Sequence, residues 1–126
     1  MKILIPLFSL LMLACQQPAT TKVVTNEELV ELLNDPEVQL VDVRTPGEWS
    51  RGIIPNAKKI NYRDDNFLYQ MEQALDKDKP LVVYCAAGGR SAGAAKKLSE
   101  LGFKKIYDLG VGFTGWKAAG MPVAEE

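Results

Sequence analysis

Histidine is absent from all 126 residues. That removes imidazole as metal ligand, general base or proton shuttle, and with it every Ser-His or Cys-His catalytic pair. Cysteine is nearly absent: Cys15 ends an apolar leader and Cys85 follows an apolar run. Two cysteines in unrelated settings cannot build a structural zinc site. Neither sign of charge is in excess, the net being −1, so there is no electrostatic case for a nucleic-acid partner. The small basic groups, such as Lys58-Lys59, Lys96-Lys97 and Lys104-Lys105, read as solvated faces. Internal repeats and low-complexity segments are missing too.

What is present suits one domain of ordinary size: 47% hydrophobic and 25% charged residues, enough for a real core. The first residues read as an address. "MKILIPLFSLLMLAC" carries one Lys, then an apolar run from Ile3 to Ala14 interrupted by Pro6 and Ser9. This run is too short to span a bilayer comfortably and suits the core of a secretion signal. Its ending, "LMLAC", resembles a bacterial lipobox, in which Cys15 becomes the lipidated first residue of the mature protein. The alternatives are a conventionally cleaved signal and an uncleaved anchor. The expected organisation is a signal peptide over 1–14, a lipidated Cys15 with a polar tether over 15–21, and a domain over 22–124. The protein is then exported and membrane-anchored, periplasmic or in the cell envelope. Gln16 is not an inner-membrane retention Asp, so in a host with two membranes the outer one is expected. With Cys15 acylated, Cys85 is left as a free thiol, and a free thiol in an exported protein is either buried or reactive.

Within the domain, strand and helix patterns alternate. "TKVVT" is a first strand, and "TNEELVELLN" a helix with Thr25 and Glu28 as a capping box and Leu29, Leu32 and Leu33 as its apolar stripe. "VQLVDV" is a strand ending near Asp42 and Arg44, "TPGEWSRG" a helical turn and "AKKINY" a short strand. "DDNFLYQMEQAL" is a helix with acids in its first turn and Phe67, Met71 and Leu75 on one face. "PLVVYC" is apolar throughout, as a strand buried on both faces would be. The helix after it carries Ala94, Leu98 and Leu101 and stops at Gly102, "KKIYDL" is a strand, and "GFTGWKAAG" is a helix closed by Gly120. The fold class is therefore α/β, a central, mainly parallel sheet of about five strands with helices on both faces. Reactive groups in such sheets lie beyond the carboxyl ends of the strands, and Cys85 lies at one. Trp49 and Trp116 are expected in the core.

The segment Cys85-Ala86-Ala87-Gly88-Gly89-Arg90-Ser91 joins that strand to its helix. So short a loop can wrap around the sulfur and turn several N–H groups inward, Gly88 and Gly89 permitting backbone angles closed to other residues. Inward N–H groups, a helix N-terminus and the Arg90 guanidinium all favour an anion, and so favour thiolate over thiol. The competing reading is an inert buried Cys before a Gly-rich turn.

"CAAGGRS" also resembles the C-x-x-G-x-R-S loop of rhodanese-domain sulfurtransferases. "VDVRTPGEWSRGIIPNAKKIN" and "YDLGVGFTGWKAAGMPV" are similar to that family's upstream and C-terminal signatures, in the right order. Two departures stand out: Ile53 takes the place of the His common in a Gly-His-Ile-Pro turn, and Val111 replaces one Gly of a Gly-Gly pair. The resemblance implies a rhodanese-like fold and transfer of a sulfane sulfur from a small anionic donor such as thiosulfate to a thiol or other thiophilic acceptor. Cys85 would carry the sulfur as a persulfide, with no cofactor and no metal. It implies Ala86, Ala87, Gly88, Gly89, Arg90 and Ser91 as the anion-binding loop, with Arg90 either binding substrate or bracing. Asp42 and Arg44 either line the entrance or brace the loop, bracing being the expectation. A non-enzymatic persulfide carrier or binding module for a membrane-associated partner is the alternative. A Cys-dependent phosphatase or arsenate reductase fits less well, because its loop places five residues between Cys and Arg. Here there are four, which tightens the ring.

Overall fold

The computed structural model describes residue 3 and residues 19–126. Apart from Ile3, the expected signal peptide, Cys15 and the first part of the tether lie outside the described residues. Five strands form one sheet: β1 (Thr20–Val24), β2 (Gln39–Asp42), β3 (Lys58–Lys59), β4 (Leu81–Tyr84) and β5 (Lys105–Leu109). Their order is β1-β5-β4-β2-β3 and every pairing is parallel. β1 starts at Thr20, two residues ahead of Lys22, because the Thr20 N–H bonds the Lys104 carbonyl and the register then runs Thr20 to Lys105.

β4 lies at the centre and all four of its residues are buried, the outcome expected of a strand covered on both faces. One face packs on α3 (Phe67–Ala74) and α4 (Gly89–Glu100), through Phe67, Met71, Leu75, Ala94, Ala95 and Leu98. The other packs on α1 (Asn26–Leu32) and α5 (Gly112–Ala118), through Leu29, Phe113 and Trp116. Side chains alternate across a strand, so Val83 and Cys85 face the first cluster while Val82 and Tyr84 face the second. Each core is thereby locked to the strand that ends at the thiol.

The local signals act much as the residues suggest. Thr25 and Glu28 form the reciprocal capping box of α1. α4 ends with Gly102 at φ +103° and the Phe103 N–H bonding the Leu98 carbonyl, which satisfies groups the helix end leaves open. Two expectations are corrected. Leu33 is exposed at the end of α1. Asp64 and Asp65 precede α3 instead of entering its first turn, since Asn66 is the cap. The departing residues also find explanations. Ile53 is buried and pairs with Ala124 through two 2.9 Å backbone bonds, so an apolar side chain and a short bridge hold that turn without a His. Val111 has an ordinary φ of −78°, whereas Gly112 has φ +61°; only the second position requires glycine.

Candidate active site

Cys85 is the first residue beyond β4, and its side chain is almost wholly buried. The turn into α4 is made by Gly88 at φ +101°, where a Cβ would lie 2.6 Å from the Gly110 carbonyl oxygen. Only glycine fits there. The Gly88 N–H donates to Cys85 Sγ at 3.1 Å, and Sγ lies 3.4 Å from Ser91 Oγ. The Ser91 hydroxyl donates to the Gly88 carbonyl at 3.2 Å. Burial pushes the thiol pKa up, but the Ser91 hydroxyl and the N–H groups of Ser91, Ala87 and Gly88 outweigh it, and the net shift is downward. The thiolate is favoured by donors on the chain itself, with no imidazole.

The loop is held from outside by the start of α5. The Phe113 N–H donates to the Cys85 carbonyl at 2.8 Å and the Thr114 N–H to the Ala86 carbonyl at 3.0 Å. In a trans peptide the C=O and the following N–H point in opposite directions. Drawing these two carbonyls toward α5 therefore turns the Ala86 and Ala87 N–H groups the other way. Gly112 permits the approach: a Cβ there would stand 2.4 Å from the Ala86 oxygen.

Arg90 does not reach over the sulfur. Its two terminal nitrogens bind Glu48 of α2 (Pro46–Trp49) at 2.7 and 2.9 Å. The Arg90 guanidinium, helped by Thr45, outweighs the opposing effect of burial, and the Glu48 pKa falls to about 2. The fork of the guanidinium is occupied, so Arg90 ties α4 to α2. Asp42 and Arg44 are buried and paired, with 2.7 Å between Arg44 Nη2 and Asp42 Oδ2. Arg44 also donates to the Gly52 carbonyl at 2.7 Å, and its guanidinium carbon lies 4.1 Å from the centre of the Phe113 ring. The pair thus sits behind α5 and supports the helix that holds the loop. Beside the loop an open cleft of about 630 Å³ runs past Ala86, Phe113 and Thr114, with Arg51 and Lys117 on its rim. Neither cation has an ion-pair partner among the described residues.

The structure places Ala87, Gly88 and Ser91 against the Cys85 sulfur, with Ala86 and Gly89 as the neighbouring loop residues, and sets Arg90, Asp42 and Arg44 outside as supports. Trp116 is buried with its indole N–H on the Pro122 carbonyl, while Trp49 is only half-buried. Sequence reasoning missed Glu48 and the α5 N–H groups. Glu48 stood in the right turn, but nothing local linked it to a residue 42 positions away.

The family model for the rhodanese-like domain matches residues 25–119. The thiosulfate sulfurtransferase GlpE of Shewanella oneidensis is 38% identical over 73% of this chain and 88% of its own length. A sulfurtransferase of Allochromatium vinosum is 33% identical over 79% of this chain and 92% of its own. Among solved structures, a rhodanese-related protein from Thermoplasma volcanium superposes with a TM-score of 0.72 at 33% identity, covering 83% of this chain and 99% of its own. With a five-stranded parallel sheet, a thiol-bearing loop and relatives of this kind over most of its length, the chain belongs to the rhodanese-like domain family and is a rhodanese-type sulfurtransferase.

Proposed function

We propose that the chain moves a sulfane sulfur through a persulfide on Cys85. The observation that carries this reading is the downward shift of the Cys85 thiol inside a ring of N–H donors. In the first step the Cys85 thiolate attacks the outer sulfur of an anion such as thiosulfate. The new S–S bond forms as the donor's S–S bond breaks, and sulfite leaves with the electron pair. In the second step a thiophilic acceptor, a thiolate in the cell or cyanide in an assay, attacks the terminal sulfur. The Cys85–S bond then breaks and returns the thiolate. The inward N–H groups stabilise the anion in both steps, and covalent catalysis of this kind requires no cofactor. The rim cations Arg51 and Lys117 suit an anionic donor. A phosphatase reading has little support, because an oxyanion-binding Arg must face the loop centre and Arg90 is committed to Glu48.

The place of action is part of the same proposal: export by the leader and acylation at Cys15. Only residues 16–19 would separate a lipidated Cys15 from β1. Four extended residues reach roughly 14 Å, so the domain would lie against the membrane. Cys15→Ala should release the protein from membranes, and persistent attachment would contradict the lipid anchor.

The deciding experiment is intact mass after exposure to thiosulfate, paired with thiosulfate:cyanide turnover. One added sulfur atom on the wild type, and none with Cys85→Ala, is the expected result. Unchanged turnover in Cys85→Ala sinks the mechanism.

A further inference from the structure

The cleft beside the loop is larger than a small inorganic anion needs. Its volume of about 630 Å³ falls within the roughly 300–1,000 Å³ in which proteins seat organic ligands. One wall is α2 and the residues just past it, with Glu48 and Arg51. The other is α5, where Phe113 and Thr114 lie one turn from Lys117 and Ala118, so that the four share a face. Ala86, directly after Cys85, lines the cleft as well. The methyl groups of Ala86 and Ala118 and the Phe113 ring offer apolar surface that thiosulfate, having no carbon, cannot use.

The charges of the cleft are unevenly matched. Four ionic side chains line it: Arg44, Glu48, Arg51 and Lys117. Two of them are neutralised by residues outside it, Arg44 by Asp42 and Glu48 through both its oxygens by Arg90. Arg51 and Lys117 are left without an ion-pair partner among the described residues. One cation therefore comes from each wall, with apolar surface alongside. That arrangement matches two anionic groups held apart on one carbon body better than a single compact anion.

We propose that this cleft seats a low-molecular-weight thiol carrying two carboxylates, one at Arg51 and one at Lys117, with its carbon chain on Phe113 and Ala118. Its sulfur end then lies toward Ala86, beside the Cys85 persulfide. In the transfer the acceptor thiolate R–S⁻ attacks the outer sulfur of Cys85–S–SH. R–S–SH forms as the Cys85 S–S bond breaks, and the electron pair returns to Cys85 as thiolate. Protons and charge are the same on both sides, and no oxidant is consumed. The reverse step loads Cys85 from R–S–SH, so one cleft serves the thiol as acceptor and its persulfide as an anionic donor. Arg51 and Lys117 determine specificity and hold the substrate away from the reacting sulfurs.

This inference rests on Cys85 carrying the sulfur as a persulfide. Its test uses the full chain with Cys15→Ser, glutathione as the dicarboxylate thiol, and the dimethyl ester of glutathione as the same thiol without carboxylate charge. At saturating thiosulfate, kcat/KM is measured for each acceptor. The ratio of glutathione to ester should fall about tenfold in the double variant Arg51→Gln, Lys117→Gln. Tenfold is about 1.4 kcal/mol, in line with two ion pairs open to solvent, and turnover of the ester reports that the variant is folded. Ala118→Phe fills the cleft with its charge unchanged, and should lower turnover with glutathione relative to cyanide. A glutathione-to-ester ratio that the double variant leaves in place overturns the proposal. So does a wild-type ratio of glutathione to cyanide in Ala118→Phe, since only long-range attraction would then remain. If Cys85 takes up no sulfur, no acceptor turns over, and it is the sulfur-transfer reading that fails. The cleft is then tested by calorimetry with S-methylglutathione, which has no free thiol. It should bind the wild type and bind the double variant about tenfold more weakly; no binding to the wild type overturns the proposal.

Discussion

Replacing Gly112 by alanine should damage catalysis far more than its place outside the loop suggests. The added Cβ would stand 2.4 Å from the Ala86 oxygen, 2.6 Å from the Ala86 carbonyl carbon and 2.8 Å from the Ala87 nitrogen. All three are backbone atoms, so no side chain can rotate away. Ordinary contact begins at 3.4 Å, so loop and helix must separate by about 1 Å. The 3.0 Å bond from the Thr114 N–H to the Ala86 carbonyl would lengthen with them, and the N–H groups facing the sulfur would turn. A misplacement of about 1 Å costs roughly 100-fold in rate. The left-handed φ of +61° adds about 1–2 kcal/mol of backbone cost for a residue with a Cβ, and overpacking about 1–3 kcal/mol more. Gly120 provides the control: its φ is +71°, yet nothing lies within 4 Å of its would-be Cβ. Gly120→Ala should therefore share the backbone cost and spare turnover. The assay is thiosulfate:cyanide kcat beside a denaturant melt. A Gly112→Ala enzyme within a few-fold of wild type would refute the idea that α5 sets the loop, as would an equal loss of kcat in Gly120→Ala.

Two further outcomes follow from the same site. Ser91→Ala removes a donor that favours the thiolate, so the midpoint of Cys85 ionisation should move up and turnover at neutral pH should fall; a midpoint that stays or drops would contradict the assignment. Glu48→Gln should release Arg90, lowering stability by about 1 kcal/mol for a pair partly open to solvent. The folded Glu48 carboxyl is depressed from 4.5 to about 2, so its contribution is complete above pH 4.5 and is lost as pH falls toward 2. The gap between wild type and Glu48→Gln in chemical denaturation should be full at neutral pH and narrow across that acid window. A gap that is constant with pH would show that the charge of Glu48 is not what matters.

Most of the architecture was legible because it depends on short-range patterns. The run Leu81–Tyr84 could be buried only in a central strand, Thr25 and Glu28 cap α1 across three residues, and Gly102 stops α4. The thiol loop was legible for the same reason, since cysteine, glycines and serine lie within seven positions. What escaped was contact across the fold. The partner of Arg90 is 42 residues away, on a single helical turn, and the donors to the Cys85 and Ala86 carbonyls come from α5. Backbone N–H groups leave no trace in residue identity, so only Gly112 could have hinted at them. The hint was blurred because Val111 interrupts the expected glycine pair.

That division bears on how the site works without histidine. At the sulfur the Ser91 hydroxyl acts beside three backbone amides, those of Ser91, Ala87 and Gly88, and amides are fixed only as well as the peptide planes that carry them. Each supporting residue acts on a plane. Glu48 and Arg90 hold the first turn of α4, Gly88 and Gly110 allow the loop to close, and Asp42 and Arg44 support Phe113. The Phe113 N–H then orients the Cys85 carbonyl. A site made this way should tolerate changes at Ala86 or Ala87 that keep the backbone, yet fail when a distant glycine gains one methyl group.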